Sequence, residues 1–189
     1  MREDKVVQFV CFETTLDKEQ FVVQWEQFTK PVNGRYSVIL QQSEKKKLFR
    51  YIAQYYCAAN EFEFVFAKAR RSPHSSATPI RAEQVGGYSI LQSERLNNVH
   101  ANETKIFAFL INSQADLNTY REMGSYGKLN IYEAYYENCR YAYILEFFVK
   151  NELVSELLFQ LKQYRAAEVA IYKECILENI SSAVLHLQR

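Results

Sequence analysis

Eight short segments of the chain are continuously apolar or alternate hydrophobic with polar residues, and this pattern predicts β-strands. The predicted strands are residues 5–13, 36–42, 48–57, 86–94, 105–111, 129–137, 140–149 and 168–176. They are rich in β-branched and aromatic side chains, which pack well on a pleated surface.

The segment after the first strand has helical spacing. Phe21, Trp25 and Phe28 recur three or four residues apart, which places them on one face of a helix that packs on the sheet. Thr14 or Asp17 can cap the start of this helix, because short polar side chains accept hydrogen bonds from the first free backbone amides.

Two further helices are predicted in the second half, over residues 115–123 and 151–164, with Asn151 as N-cap of the longer one. The expected buried positions are Leu117, Tyr120 and Met123 in the shorter helix and Leu153, Leu157, Leu161 and Tyr164 in the longer one. Residues 60–71 fit both a helical stripe and a strand alternation, and Asn60 with the basic end of the segment favours a helix.

The order of elements is β-α-β-β-α-β, and it occurs twice. Arg50 and Tyr51 open the third strand of the first set as Arg140 and Tyr141 open that of the second, which indicates an internal duplication. The predicted divisions are residues 1–95 as the first unit with a long loop at 72–84, 96–104 as a linker, 105–176 as the second unit and 177–189 as a tail. Because each ferredoxin-like unit leaves one sheet face bare, we predict an α+β fold in which two ferredoxin-like βαββαβ repeats form an intrachain, pseudo-dimeric α+β barrel.

This element order resembles the dimeric α+β barrel superfamily, which includes antibiotic-biosynthesis-monooxygenase-like, EthD-like, NIPSNAP-like and chlorite-dismutase-like proteins. The resemblance covers roughly residues 5–176, and no motif selects one family within the superfamily. It implies a barrel with a cavity, between sheet and helices or between sheets, that holds a small apolar or aromatic molecule and in some members haem.

Composition limits the classes of binding partner and the cellular location that we expect. The net charge of +1 gives no reason to expect nucleic acid or an anionic membrane, and no apolar run reaches the ~20 residues of a membrane helix. Cys11, Cys57, Cys139 and Cys175 form no CxxC pair and match no zinc-site spacing. A disulfide scaffold is not expected in a chain of this size, so we expect reduced residues in a cytoplasmic protein. A homodimer is compatible with the sequence.

Strand alternation divides residues 140–149 between two faces of the sheet. The face predicted to pack under helices carries Tyr141, Tyr143, Leu145, Phe147 and Val149. The face predicted to meet the other sheet carries Arg140, Ala142, Ile144, Glu146 and Phe148. Alignment of the two repeats places Arg50, Ile52, Gln54 and Tyr56 opposite this second set.

Glu146 is the main chemical candidate, because a buried carboxylate needs a partner, which Arg50 or Arg140 could supply. One interpretation is a structural ion pair near the barrel end. The other is a polar anchor or general base in a ligand pocket. The residues predicted to bind a ligand there are Arg50, Gln54, Tyr56, Tyr132, Tyr136, Arg140 and Glu146.

The remaining titratable residues allow weaker hypotheses. Glu133 and Glu137 could act as an acid–base pair, although solubility of an edge strand explains them more simply. His74, His100 and His186 lie in predicted loops or the tail, so we expect no metal site and no cofactor. If haem is bound after all, His100 is the first choice as its ligand.

Three functions are compatible with these observations. The first is a small-molecule-binding protein with a barrel cavity, which includes a cofactor-free oxygenase or isomerase of the monooxygenase-like kind. The second is a non-catalytic structural or interaction module, and the third is a haem-binding protein. A cavity lined by polar tips would support the first, whereas an interior filled by its own side chains would argue against it.

Overall fold

A computed structural model of the protein describes residues 5–17, 19–21, 36–42, 49–58, 81–94, 102–112, 114–137, 139–164 and 168–178. The segment 60–71, the histidines and most of the predicted loop and tail lie outside these residues.

Eight β-strands occur in the described residues, and each overlaps a predicted one. They are β1 Lys5–Glu13, β2 Tyr36–Gln42, β3 Tyr51–Ala58, β4 Arg81–Gln92, β5 Glu103–Leu110, β6 Gly127–Ala134, β7 Tyr143–Lys150 and β8 Glu168–Glu178. Cross-strand pairing extends three of them past their apolar runs. Arg81 of the predicted loop pairs with Glu13 of β1. Glu103 of the predicted linker pairs with Lys150 of β7. Strand β8 continues to Glu178, which was predicted to belong to the tail.

All strand pairs are antiparallel, and the strands close into a barrel in the order β1-β3-β2-β8-β5-β7-β6-β4. The two halves of the chain meet twice, where β2 pairs with β8 and where β4 pairs with β6. Register shifts interrupt the pairing at both places. The predicted α+β fold with a curled antiparallel sheet is therefore confirmed.

Two α-helices of the second half cover the outside of the barrel. They are α1, Leu117–Glu122, and α2, Val154–Gln163. Asp116 Oδ1 accepts a hydrogen bond from Asn118 N at 3.0 Å and so caps α1. None of the helices in the described ranges is long and apolar enough to cross a membrane.

The predicted start of α2 is wrong. Asn151–Leu153 forms a 3₁₀ turn, and the α-helix begins at Val154 with no side-chain cap. The side chain of Asn151 instead accepts a hydrogen bond from Thr104 Oγ1 at 2.7 Å. This contact joins residues that are distant in sequence, so the local pattern could not reveal it.

The first predicted helix begins as expected, with Asp17 as its cap. Asp17 Oδ1 accepts from Gln20 N at 2.8 Å, and Gln20 Oε1 accepts from Asp17 N at 3.3 Å, which is a capping box. In the first helical turn, the ring of Phe21 stacks on that of Tyr51 with centroids 3.9 Å apart. The remainder of this predicted helix lies outside the described residues.

The barrel wall separates two apolar clusters. The outer cluster, under the two helices, contains Ile106, Ala108, Leu110, Tyr120, Met123, Leu129, Ile131, Tyr143, Leu145, Phe147, Val149, Leu157 and Leu161. The inner cluster contains Val7, Phe9, Cys11, Phe49, Ile52, Tyr88, Phe107, Phe109, Tyr132, Tyr141, Ile144 and Tyr172. The predicted facing of β7 is thus confirmed from Tyr143 onward.

Tyr141 is the exception to this facing. It was predicted to pack under helices, but its ring lies in the barrel interior, 4.9 Å from that of Phe109. Its backbone oxygen accepts a hydrogen bond from Tyr88 Oη at 3.2 Å. Strand β7 begins only at Tyr143, so the two-residue alternation of a strand does not extend to Tyr141.

Candidate functional site

Five polar side chains meet at one end of the barrel interior, and we call them the interior polar cluster. They are Gln54, Lys105, Asn130, Tyr132 and Glu146, and all are 0% exposed. Asn130 is the cross-strand neighbour of Glu146, and Lys105 is that of Phe148, two residues further along β7. Gln54 reaches them from β3, which belongs to the other half of the barrel.

Glu146 lies at the centre of the interior polar cluster. Lys105 Nζ is 2.7 Å from its Oε1 atom, and Gln54 Nε2 donates to the same oxygen at 3.3 Å. Asn130 Nδ2 and Tyr132 Oη donate to Oε2 at 2.9 and 2.5 Å. The short distance to Tyr132 is typical of a charge-assisted hydrogen bond.

The carboxylate of Glu146 is therefore fully engaged. A carboxylate has about four lone-pair directions; three hydrogen-bond donors and the ammonium of Lys105 contact this one. A buried ion pair with its remaining lone pairs satisfied is the arrangement in which attraction offsets desolvation. A general base must accept a proton from a substrate, so that role for Glu146 requires one of the four donors to leave first.

Aromatic rings pack against one another in the described interior. The ring of Phe9 makes edge-to-face contacts with those of Tyr88 and Tyr132, with centroids 5.4 and 5.1 Å apart. Tyr172 Oη donates to Phe49 O at 2.9 Å, and burial raises the pKa of this phenol well above its usual value. These side chains pack against one another as a core.

Of the predicted ligand-binding residues, the structure brings together Gln54, Tyr132 and Glu146. Arg50 lies elsewhere, where its Nη1 donates to Thr14 O at 3.2 Å. Arg140 is exposed, with its guanidinium 5.1 Å from the centre of the Tyr141 ring.

The other predicted residues lie away from the interior polar cluster or have no described side chain. Tyr136 follows β6 and contacts the ring of Tyr135, 5.1 Å away. Tyr56 belongs to β3, and its side chain is outside the described part. Glu133 accepts a hydrogen bond from Tyr143 Oη at 3.2 Å, and Glu137 is exposed in a turn.

Sequence reasoning missed Lys105 and Asn130. The cation beside Glu146 is Lys105 rather than either predicted arginine. A signal existed, since Lys105 shares the strand face of Phe107 and Phe109 in an otherwise apolar segment. To recognise Lys105 as the partner of Glu146, however, one needs the register of β5 against β7, which no local pattern contains.

A second region lies outside the barrel, between the end of β5, helix α1 and the end of α2, and we call it the helix-side cleft. It is open on one side and has a volume of about 400 Å³, within the usual range for small-molecule sites. Its lining consists of Leu110, Ile111, Asn112, Gln114, Ala115, Asp116, Thr119, Tyr120 and Tyr164.

The helix-side cleft has an apolar floor and a polar rim. Leu110 and Tyr120 are buried, and Tyr120 Oη donates to Tyr164 O at 3.3 Å. On the rim, Asp116 Oδ2 accepts from Thr119 Oγ1 at 2.9 Å. Ile111 and Tyr164 are 60% and 51% exposed, so the cleft offers apolar surface that the protein itself leaves uncovered.

The described side chains do not form a metal centre. No group of three or more His, Cys, Asp or Glu side chains is close enough to hold a metal ion in the described ranges.

Burial raises the pKa of the Tyr120 phenol, so this phenol is neutral near pH 7. Burial also raises the pKa of the Cys11 and Cys139 thiols, so both are poor nucleophiles.

No protein-family model matches the chain, and no curated protein matches it significantly. Its fold is similar to that of chlorite dismutase from Candidatus Nitrospira defluvii. A mutant of that enzyme in complex with cyanide has a TM-score of 0.59 and 8% identity, covering 100% of this chain and 96% of that one. A structure in complex with imidazole has a TM-score of 0.56 and 8% identity, covering 92% and 93%. Similarity at this identity shows a shared fold.

Proposed function

We propose that the protein binds a small apolar or aromatic molecule in the helix-side cleft. The observation that carries this proposal is the cleft itself, which is open and has a volume of about 400 Å³. The described aromatic side chains of the interior, by contrast, pack against one another. Of the two cavity positions that the superfamily resemblance implies, we therefore favour the one between sheet and helices.

The lining favours a flat apolar ligand with one hydrogen-bonding group. Leu110 and Tyr120 offer an apolar floor, and Asn112 and Thr119 bring polar atoms to the rim. Asp116 is the carboxylate of the lining, and both of its oxygens accept hydrogen bonds within the first turn of α1. This arrangement supports binding more directly than acid–base catalysis.

The experiment is a titration with indole, which has a flat apolar body and one N–H donor, followed by ligand-observed NMR. Gln114→Trp places a bulky ring on the rim of the cleft and is expected to weaken indole binding at least tenfold. Phe159→Trp is the matched control, because Phe159 is exposed on α2 and lies outside the lining. Equal binding by both variants, or no binding by the wild type, would refute the proposal.

Haem binding is the second candidate, and the fold similarity to chlorite dismutases over 92–100% of the chain favours it. The described lining fits haem iron poorly. It contains no His, Cys or Met, and the buried Tyr120 phenol has a raised pKa and donates to Tyr164 O. A haem in the cleft would need an iron ligand from outside the described residues, and His100 is the candidate.

A haem titration separates the two candidates. Haem binding predicts a Soret band that weakens in His100→Ala, whereas cleft binding without iron ligation predicts equal affinity for haem and for iron-free porphyrin. An unchanged spectrum would remove the haem hypothesis and leave indole binding as the test of the first proposal.

We also infer that the chain consists of two ferredoxin-like units, residues 1–95 and 105–176, arranged as a pseudo-dimer. The strand order supports this inference, because β4-β1-β3-β2 in the first half has the same pattern as β8-β5-β7-β6 in the second. A cytoplasmic location and a homodimer stay predictions.

A further inference from the structure

Two groups of the interior polar cluster lack a hydrogen-bond partner among the described residues. One is Oε1 of Gln54, and the other is the ammonium of Lys105, whose 2.7 Å contact with Glu146 is an ion pair without the angle of a hydrogen bond. Both side chains are 0% exposed. Folded proteins satisfy nearly all such groups, either with other protein atoms or with ordered water.

The two groups are complementary and close together. The Gln54 oxygen only accepts hydrogen bonds, and the Lys105 ammonium only donates them. Both side chains contact Glu146 Oε1, with Lys105 Nζ at 2.7 Å and Gln54 Nε2 at 3.3 Å. A single small group beside that oxygen can therefore reach both.

We propose that this end of the barrel interior binds one small neutral molecule whose hydroxyl group bridges Lys105 and Gln54. The guest oxygen accepts a hydrogen bond from the ammonium and donates one to the amide oxygen. Water and a small alcohol share this chemistry, because each offers an acceptor and a donor on one atom.

Charge and space restrict the guest to this class. Lys105 and Glu146 neutralise each other, so an added cation would face the ammonium and an added anion would face the carboxylate at low dielectric. The rings of Phe148 and Phe107 lie 4.6 and 5.9 Å from Lys105 Nζ. The other described surroundings of the ammonium are thus aromatic, which favours a small neutral guest over an ion.

The bridge would connect β3 of the first half with β5 of the second across the interior. It is independent of ligand binding in the helix-side cleft, which lies on the other side of the barrel wall. Since Lys105 and Gln54 are fully buried, the guest exchanges only when the barrel opens, and we expect slow exchange.

High-resolution crystal structures of the full chain test this proposal. The wild type is expected to show a density peak within hydrogen-bond distance of both Lys105 Nζ and Gln54 Oε1. Gln54→Met keeps the side-chain length but removes the acceptor, so the peak should disappear. Gln8→Met is the matched control, because Gln8 is equally buried but alternates with the inward-facing Val7 and Phe9, and the peak should persist. A direct hydrogen bond between Lys105 and Gln54, or a peak retained in Gln54→Met, would overturn the proposal.

Two solution measurements on the wild type make the test independent of whether the variants fold. A bound water predicts magnetisation transfer from a long-lived water to the side-chain amide protons of Gln54. A small alcohol instead predicts an added organic mass in native mass spectrometry of the intact chain. Absence of both signals would overturn the proposal. If one of them appears, magnetisation transfer identifies the guest as water and an added mass identifies it as an alcohol.

Discussion

The interior polar cluster and the helix-side cleft lie on opposite sides of the same barrel wall, and they differ in what they leave available. In the cluster, four protein donors contact the Glu146 carboxylate. In the cleft, Ile111 and Tyr164 remain more than half exposed. A buried polar group has to be satisfied internally, so the Glu146 carboxylate, which looks most reactive in the sequence, has the least capacity for a substrate-sized ligand.

This difference assigns separate roles to the two regions. The interior polar cluster joins strands of both halves through Gln54 and Glu146, so its contacts should determine stability. The helix-side cleft retains apolar surface and rim hydrogen-bonding groups, so its changes should alter binding. Substitutions in the two regions should therefore separate changes in stability from changes in binding.

Removing one member of the buried ion pair should have the largest effect. Lys105→Met leaves the Glu146 carboxylate buried without its cation, and we expect a loss of about 3–5 kcal/mol in the free energy of unfolding. Urea unfolding gives the value. The double variant with Glu146→Gln should lose less than the sum of the two single variants; strict additivity would show that the pair is not coupled.

Two Tyr→Phe substitutions compare the faces of the barrel wall. Tyr132→Phe removes the 2.5 Å hydrogen bond to Glu146 in the interior and should lower the free energy of unfolding by about 1.5–3 kcal/mol. Tyr143→Phe removes the 3.2 Å hydrogen bond to the half-buried Glu133 on the outer face and should lower it by about 0.5–1 kcal/mol. Equal losses in urea unfolding would contradict the proposed contrast.

Burial of the Cys11 thiol should make the folded protein less stable at alkaline pH. Burial raises its pKa in the folded state above the ordinary value of 9.0, so its contribution is fully present below pH 9 and declines above it. Each pH unit above 9 should lower the free energy of unfolding by about 1.4 kcal/mol, because only the unfolded chain loses the proton. Cys11→Val should show a correspondingly flatter dependence between pH 8 and pH 10 in urea unfolding with reductant present.

Cys139→Val is the control for that measurement. Cys139 is only half buried, and its backbone contacts partly oppose the rise in its pKa, so its removal should change the pH dependence less. The interpretation fails if the two variants have the same slope.

The smallest effect on stability is expected in the helix-side cleft. Gln114 is exposed on the rim, so Gln114→Trp should change the free energy of unfolding by less than about 0.5 kcal/mol while weakening indole binding. A stability loss comparable with that of Lys105→Met would remove the distinction between the two regions.

The structure brings together part of the residue set that was predicted to bind a ligand, and the misplaced residues share one cause. Glu146 and Gln54 were predicted to face the same side of the sheet, because alternation holds within β7 and β3. In the structure the two side chains are in contact in the barrel interior. The cation beside Glu146 was missed, because Lys105 reaches it through the register of β5 against β7. Tyr141 was misplaced, because the strand begins two residues after it.

Local patterns were sufficient for the eight strands, for a choice of two caps that included Asp17, and for the facing of side chains within a strand. Hydrophobic periodicity and short-range hydrogen bonds act between near neighbours. Tertiary structure decided which strands close the barrel, which cation satisfies Glu146 and where open space remains. Those outcomes depend on register and on packing between residues far apart in the chain, such as Gln54 and Glu146, and no short stretch of sequence contains that information.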